Sequence, residues 1–385
     1  MNRQTGSTTG EMRVIIAGGG TGGHLFPGIA IAESLKEMAP GCRVLFVGTG
    51  SPIEQRVLPN TGFAFETIAT EGIKGRGPVA KVRAVAKLLA GVVSAGRLVR
   101  RFDPAVIIGM GGYVSAPVVI AARLMGRKVV LCEQNALPGL TNRVLARFAD
   151  LVCVSHDATA GRLGAAKTLI TGNPVRKDFL NAMGETGRGA RENGQRFTVF
   201  IVGGSQGAHG INLAVTEALV LLEHRENIHF VHQTGTADLQ MVEQAYKRAG
   251  IDPVAQPFFD DMAARYAAAD LVICRAGATT VAEITCMGKA CIFVPFPGAT
   301  DDHQAFNAEA LVKAGAAEMI RQKDLTGRVL ADRIGFYATT PGALETMAEK
   351  SRHLGKPGAG RRVARACLAL ATDGNRQEAG VFQCI

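Results

Sequence analysis

MRVIIAGGGTGGH, residues 12–24, carries a short apolar, β-branched run straight into a cluster of glycines, and IAIAESLKEM at 29–38 follows with helical composition. A strand, a glycine turn and a helix in that order open a doubly wound α/β unit. The plan recurs at 198–210, where TVFIVGGSQGAHG leads into INLAVTEALVLLE at 211–223. Further strand candidates lie at Arg43–Val47, Ala105–Gly109, Lys128–Cys132 and Leu151–Ser155, then at Ile228–His232, Leu271–Cys274 and Ala290–Val294. They are continuously apolar rather than alternating, as parallel strands buried on both faces must be. The chain is therefore expected to be α/β, with two Rossmann-like domains. A polar, glycine-rich stretch at 181–196, NAMGETGRGARENGQR, reads as the linker between them. The boundaries that follow are 12–180 for the first domain and 197–345 for the second. A helical segment and tail at 346–385 is expected to pack across both.

The length of 385 residues supports two cores. With 47% hydrophobic and 20% charged residues, the chain is not a disordered polymer. Net charge is +10, and all of it lies in the first half. Residues 1–175 hold 20 Lys/Arg against 10 Asp/Glu, and the rest hold 23 of each. The first half thus calls for an anionic partner: nucleic acid, an acidic membrane surface or a phosphorylated substrate. Trp is absent and aromatics make up 5%, which argues against stacking on single-stranded nucleic acid. No nucleic-acid-binding module is recognisable either. Eight cysteines occur without a C-x-x-C pair, so buried thiols are expected rather than zinc or disulfides. The polar N-terminus lacks the apolar centre of a signal peptide, and no apolar run is long enough to span a bilayer.

The first loop, Gly18 to His24, exposes backbone N–H groups at the start of a helix, where an anion is favoured. A dinucleotide site would place an acid at the end of the second strand, but that strand ends Val47-Gly48-Thr49. His24 is a candidate general base or hydrogen-bonding partner of a phosphate or hydroxyl, against the plainer reading of a local bond. Gly109-Met110-Gly111-Gly112 is a second glycine cluster at a strand end, suited to sit beside the first and complete a diphosphate cradle. Glu133-Gln134-Asn135, with Asn142 and Arg143 nearby, supplies acid and amide groups for sugar hydroxyls.

In the second half, Gly203-Gly204-Ser205-Gln206-Gly207 is the counterpart of the first loop, with Ser205 offering a hydroxyl to phosphate. Arg176 can pair with a diphosphate. At Ala278–Glu283 small residues lead into a helix start. Val281, Ile284 and Met287 form an inner stripe there, leaving Glu283 off it to accept from a diol. Asp301 to Ala308 is dense in sugar-binding side chains, and Asp260-Asp261 reads as a helix N-cap. No D-x-D occurs, so no metal–diphosphate motif and no cofactor is expected. A basic amphipathic stretch runs from Ile73-Lys74-Gly75-Arg76 through Lys81, Arg83, Lys87, Arg97, Arg100 and Arg101. It is either a sheet-covering helix with a solvated face or a contact with anionic lipid.

Taken in order, GGGTGGHLFPGIAIA, GMGGYVSAP, EQNALPGLTNR, GNPVR, GGSQGA, FFDDMAARYAAADLVICRAGATTVAEI and DDHQAFNA resemble the MurG family of glycosyltransferase family 28. They span about residues 13 to 320. The resemblance implies a glycosyltransferase B fold with a cleft between its two domains. It implies inverting transfer of N-acetylglucosamine from UDP-N-acetylglucosamine to the C4 hydroxyl of the muramoyl sugar on an undecaprenyl-diphosphate-linked pentapeptide acceptor. The first domain would take the lipid-linked acceptor and the second the nucleotide sugar. By matching position, the donor contacts are Thr21, Gly22, Gly23, Asn135, Arg176, Ser205, Phe259, Ala278, Thr279, Thr280, Val281, Ala282, Glu283 and Gln304. Glu283 is assigned the ribose hydroxyls, Arg176 and Ser205 the diphosphate, Asn135 and Gln304 the sugar, and Phe259 a place by the uracil. His24 is the expected base. The family's place is peripheral, on the cytoplasmic face of the cell membrane. Many members read His-Glu-Gln-Asn where this chain has Cys132-Glu133-Gln134-Asn135, so nothing is carried over to position 132. A UDP-N-acetylglucosamine 2-epimerase of the same fold is the competing enzyme class, and it would leave the basic first half unexplained.

Overall fold

The computed structural model describes residues 11–69, 78–164, 167–183, 196–204 and 206–373. Side chains of 78–85, Thr300 and Asp373 are outside the description. The chain divides into two compact units. One comprises the chain up to Glu133, Pro138–Thr171 and the chain from Gly360 on; the other comprises Gln134–Leu137 and Gly172–Ala359.

The first unit runs β1 (Arg13–Ala17), α1 (Gly22–Met38), β2 (Arg43–Gly48), α2 (Pro52–Val57), β3 (Ala64–Thr67) and α3 (Pro78–Phe102). It continues with β4 (Val106–Gly109), α4 (Ser115–Leu124), β5 (Lys128–Glu133), α5 (Leu140–Leu145), β6 (Leu151–Val154), α6 (Asp157–Leu163) and β7 (Thr168–Ile170). All seven strands are parallel, in the order β3-β2-β1-β4-β5-β6-β7. The central strands are buried on both faces, and their side chains feed two apolar layers.

In the second unit, α7 (Lys177–Ala182) precedes β8 (Phe197–Val202), α8 (His209–Ala218), β9 (Ile228–Gln233), α9 (Leu239–Ala249), β10 (Val254–Gln256) and α10 (Met262–Ala268). Then come β11 (Leu271–Cys274), α11 (Ala278–Met287), β12 (Ala290–Phe293), α12 (His303–Lys313), β13 (Glu318–Met319), α13 (Gly327–Thr339) and α14 (Pro341–His353). Its six parallel strands are ordered β10-β9-β8-β11-β12-β13. The expected strands are present to within a residue at each end. The four additional ones, β3, β7, β10 and β13, are two to four residues long and half exposed. They lack the apolar run that marks a central strand.

In each sheet the order reverses beside the first strand of the unit, between β1 and β4 and between β8 and β11. The crevice at the carboxyl ends of such a pair is where doubly wound sheets bind ligands. The glycine loops after β1 and β4 leave from one such point, and those after β8 and β11 from the other.

The helices of the expected C-terminal segment divide between the units. Leu344 and Met347 of α14 join the second core, whereas Val363, Ala364 and Cys367 of α15 (Ala359–Asp373) are fully buried in the first. Arg362 fixes α15 by donating from Nε and Nη2 to the Thr171 carbonyl at 2.9 and 2.6 Å. Asn181 and Ala182, the start of the expected linker, are helical, and 184–195 lie outside the described residues. Seven of the eight cysteines are described, and all are buried free thiols. Burial pushes the thiols of Cys291 and Cys367 up, as does the Cys153 contact together with burial for Cys132. Cys384 lies outside the described residues.

Candidate functional site

In the first unit, α1 begins at Gly22 after an extended Thr21, so the loop meets a helix N-terminus as expected. Thr21 and Gly23 are exposed, and Gly22 and His24 half-buried. The loop is not simply an empty anion cradle, however. Gly20 N–H donates to Oε1 of Glu54 at 2.6 Å, so the protein supplies one anion of its own. Glu54, on α2, is fully buried and also accepts from the N–H groups of Thr49, Gly50 and Ser51 at 3.0, 2.6 and 2.9 Å. A Cβ on Gly19 would lie 1.7 Å from the same Oε1, so only glycine admits the carboxylate.

His24 packs against the second glycine cluster, as the sequence expected of the two loops. A Cβ on Gly111 would lie 3.2 Å from Nε2, and one on Gly112 3.4 Å from Nδ1. Nδ1 lies 3.4 Å from the Gly19 carbonyl and 3.5 Å from Thr21 Oγ1. Behind Gly111, Asn142 donates from Nδ2 to Glu133 Oε2 at 2.9 Å and to the Cys132 carbonyl at 3.0 Å. Glu133 is thus a buried brace, also accepting from Gly139 N–H at 3.0 Å.

In the second unit, Arg176 and Glu283 converge. Arg176 Nη2 is 3.7 Å from Glu283 Oε1, and the guanidinium lies 4.9 Å from the centroid of Phe179. Arg176 Nη1 is also 3.6 Å from Asp178. Val281, Ile284 and Met287 form the buried stripe of α11 as expected, but Glu283 is buried as well and not a solvated acid. Burial pushes its carboxyl up to about 7, opposed by Arg176. Ala278, Thr280 and Ala282 are half-buried and Thr279 is buried at the start of that helix.

Asn135 and α12 also meet. Asn307 donates from Nδ2 to Asn135 Oδ1 and to the Ala276 carbonyl, each at 3.2 Å, and accepts from Ala136 N–H at 3.0 Å. Fully buried Asn307 therefore ties the Asn135 segment to the loop that precedes α11. Gln304 Oε1 accepts from Phe296 N–H at 2.9 Å, which leaves the Nε2 end to address a ligand. Phe259 is the residue expected by the uracil. Its ring is buried beside Phe200 with the Arg265 guanidinium 4.8 Å from its centroid. Asp261 makes no N-cap bond and instead pairs with Arg265 at 2.9 Å. Ser205 lies outside the described residues.

Three positions escaped the sequence reading. Gln233, at the end of β9, donates from Nε2 to the Gly204 carbonyl at 2.9 Å and accepts at Oε1 from Phe259 N–H at 3.0 Å. It staples the second glycine-rich loop to the Phe259 segment. Asn212 on α8 donates to the Thr234 carbonyl and to Asp238 at 2.8 Å each, and its Oδ1 accepts from His232 Nε2 at 3.0 Å. His232 is buried, which pushes it down to about 3 and keeps it neutral. The loop it supports is close-packed, since a Cβ on Gly207 would lie 2.3 Å from the Thr234 carbonyl. Arg275 follows β11 and donates to the carbonyls of Val294 and Pro295 and, at 2.7 Å, to Gln322. Burial lowers it to about 10 and leaves it a cation at the switch point. A polar residue closing a buried strand was the available signal for Gln233 and Arg275. Among the described residues no group of three or more His, Cys, Asp or Glu side chains is arranged for a metal ion.

The comparisons with known proteins accord with this geometry. Residues 14–154 match the glycosyltransferase family 28 N-terminal domain, and 198–363 match the family's C-terminal domain. A protein of Syntrophus aciditrophicus is 48% identical over 93% of this chain and 99% of its own length. One of Myxococcus xanthus is 44% identical over 93% of each. Both are named UDP-N-acetylglucosamine–N-acetylmuramyl-(pentapeptide) pyrophosphoryl-undecaprenol N-acetylglucosamine transferase. The crystal structure of Acinetobacter baumannii MurG superposes with a TM-score of 0.73 at 32% identity, over 93% of this chain and 99% of that one. A UDP-GlcNAc 2-epimerase from Neisseria meningitidis reaches 0.66 at 12% identity, over 93% of this chain and all of that one, a likeness of fold alone.

Proposed function

The chain belongs to the MurG family of glycosyltransferase family 28, and we propose that it carries out the transfer for which its relatives are named. N-acetylglucosamine passes from UDP-N-acetylglucosamine to the C4 hydroxyl of the muramoyl sugar on the undecaprenyl-diphosphate pentapeptide, yielding the lipid-linked disaccharide. The observation that carries this reading is the convergence of Arg176 and Glu283, 3.7 Å apart, in the unit matched to the C-terminal domain, whose strand order reverses between β8 and β11.

On the donor side, Glu283 accepts from the ribose hydroxyls. Arg176, Ser205 and the start of α11 take the diphosphate, and Asn135 and Gln304 take the sugar. Gln233 and Asn212 hold the loops in place. On the acceptor side, His24 receives the C4 hydroxyl proton as the oxygen attacks the anomeric carbon. The bond from that carbon to the phosphate oxygen breaks on the opposite face, and UDP leaves with the electron pair. Inversion to a β linkage follows. Fixed cations and helix N-termini carry the charge that develops on the leaving group.

The acceptor is a membrane lipid, and the first unit suits contact with an anionic bilayer from the cytoplasmic side. None of the described helices is long and apolar enough to cross a membrane. Leu89 and Val93 on α3, Leu124 at the end of α4, and Leu140 and Val144 on α5 are all more than half exposed. Exposed Arg97, Arg143 and Arg147 interleave with them. Of the basic stretch expected at 73–101, Ile73 to Arg76 lie outside the described residues, and Lys81 and Arg83 have no described side chains.

Labelled UDP-N-acetylglucosamine, incubated with and without a short-chain lipid acceptor, tests the reading. Acceptor-dependent UDP release supports transfer. Acceptor-free formation of UDP-N-acetylmannosamine would replace it with epimerisation.

A further inference from the structure

The mechanism leaves unused a heavily hydrogen-bonded buried acid of the first unit. Glu54 is 0% exposed, sits on the short helix α2, and receives four backbone N–H groups, those of Gly20, Thr49, Gly50 and Ser51. Thr49 adds its hydroxyl at 3.2 Å. Three of those backbone donors belong to the turn that begins α2. The fourth, Gly20 N–H, comes from the first glycine loop, 34 positions away in sequence, and at 2.6 Å it ties the shortest of these contacts.

The peptide between Gly19 and Gly20 is a rigid plane whose N–H and C=O point in opposite directions. Glu54 grips the N–H end. The C=O end, Gly19 O, stands 3.4 Å from His24 Nδ1. A carbonyl oxygen only accepts, so that contact exists as a hydrogen bond only when Nδ1 carries the hydrogen. The lone pair of the neutral ring then resides on Nε2, the nitrogen that faces Gly111. Thr21 Oγ1, at 3.5 Å from Nδ1, can either donate or accept and does not select a tautomer by itself.

We propose that Glu54 is a positioning residue for His24, acting through the Gly19–Gly20 peptide: it orients that carbonyl onto Nδ1 and so presents Nε2 as the proton acceptor. The arrangement has the logic of an acid that orients a histidine, with a backbone peptide interposed. In the reaction the acceptor O–H bond breaks and an Nε2–H bond forms. The imidazolium is stabilised by the Gly19 carbonyl, whose peptide the carboxylate polarises from the other end. Glu54 touches no substrate. The glycines at 19 and 48 follow from its presence, because a Cβ at either would lie under 3 Å from the carboxyl group. The inference rests on the reading of His24 as base, but its first readout does not.

The experiment uses full-length protein labelled with ¹⁵N-histidine, the His24 signals being identified by their loss in His24→Gln. In the wild type the neutral His24 ring is expected to be protonated at Nδ1. In Glu54→Gln the carboxamide turns an N–H donor toward Gly20 N–H or Gly50 N–H. The Nε2–H tautomer then gains population, and kcat with lipid acceptor falls about tenfold while KM for UDP-N-acetylglucosamine is unchanged. A wild-type ring protonated at Nε2 overturns the proposal, and that measurement stands even if Glu54→Gln does not fold. A variant that keeps both tautomer and kcat, or that changes tautomer without loss of kcat, overturns it too. Wild-type protein with no acceptor-dependent UDP release would defeat the functional reading instead, while the tautomer measurement would still decide the Glu54–His24 relation.

Discussion

Arg176 and Glu283 face each other across 3.7 Å in the second unit, each less than a fifth exposed. Removed from water, the carboxylate is disfavoured, and its carboxyl is pushed up to about 7 even with the guanidinium beside it. A donor ribose would offer this group hydroxyl hydrogens, and the ionised form accepts them best. UDP is therefore expected to bind more tightly as pH rises from 6 toward 8, and titration calorimetry of Glu283→Gln should lose that slope. A slope that persists in the variant assigns the effect elsewhere.

The same shift has a stability consequence of defined sign. The folded-state value lies above that of an unfolded glutamate, about 4.3, so the folded protein holds the proton more tightly. The contribution is fully present below the unfolded value and is lost as pH rises through about 7. Thermal melts should show Glu283→Gln gaining on the wild type between about pH 4.3 and 7, with no further gain above.

His24 is expected to matter to turnover far more than to donor binding. His24→Ala should lower kcat by about a hundredfold or more, the scale of a lost general base, with the UDP affinity retained. Unchanged turnover would remove His24 from the chemistry.

Gln233 bridges Gly204 and Phe259 through both ends of its amide. Gln233→Leu keeps the bulk and forfeits both bonds, leaving the buried Phe259 N–H unmatched and the Gly204 carbonyl without its side-chain donor. An unmatched buried N–H costs about 1–3 kcal/mol, so KM for UDP-N-acetylglucosamine should rise about tenfold or more. KM for the lipid acceptor is the control and should not move.

Vesicle binding tests the proposed membrane face. Arg143→Glu with Arg147→Glu reverses two exposed charges on and just after α5, and each basic residue near an anionic surface contributes about 1 kcal/mol. Sedimentation with phosphatidylglycerol vesicles at low salt should fall for this variant, and equally for Leu140→Ser with Val144→Ser. Undiminished binding by both would place the contact on another surface.

How far the chain could be read depended on whether a feature was local. The nine central strands are legible because burial on both faces demands a continuous apolar run. The edge strands β3 and β13 are not, since an exposed pair of bonds needs no such pattern. The destination of α15 is equally hidden: Val363, Ala364 and Cys367 mark an apolar face but not which sheet it covers. At the site, motifs at strand ends announced themselves through glycines. Glu54 did not, because an acid at the start of the helix after Gly48-Thr49-Gly50-Ser51 looks like an ordinary first-turn residue. The absence of an acid at the end of β2 argued against a dinucleotide, and an acid does reach the first loop from α2. It binds the loop's own N–H rather than a ribose.

The most direct test is the structure of the product. Wild-type protein given UDP-N-acetylglucosamine and a short-chain lipid acceptor should yield one new disaccharide. Proton NMR should show N-acetylglucosamine joined to C4 of the muramoyl residue with the large anomeric coupling of a β linkage. An α linkage, attachment at another hydroxyl, or sugar modified without any acceptor would contradict the account.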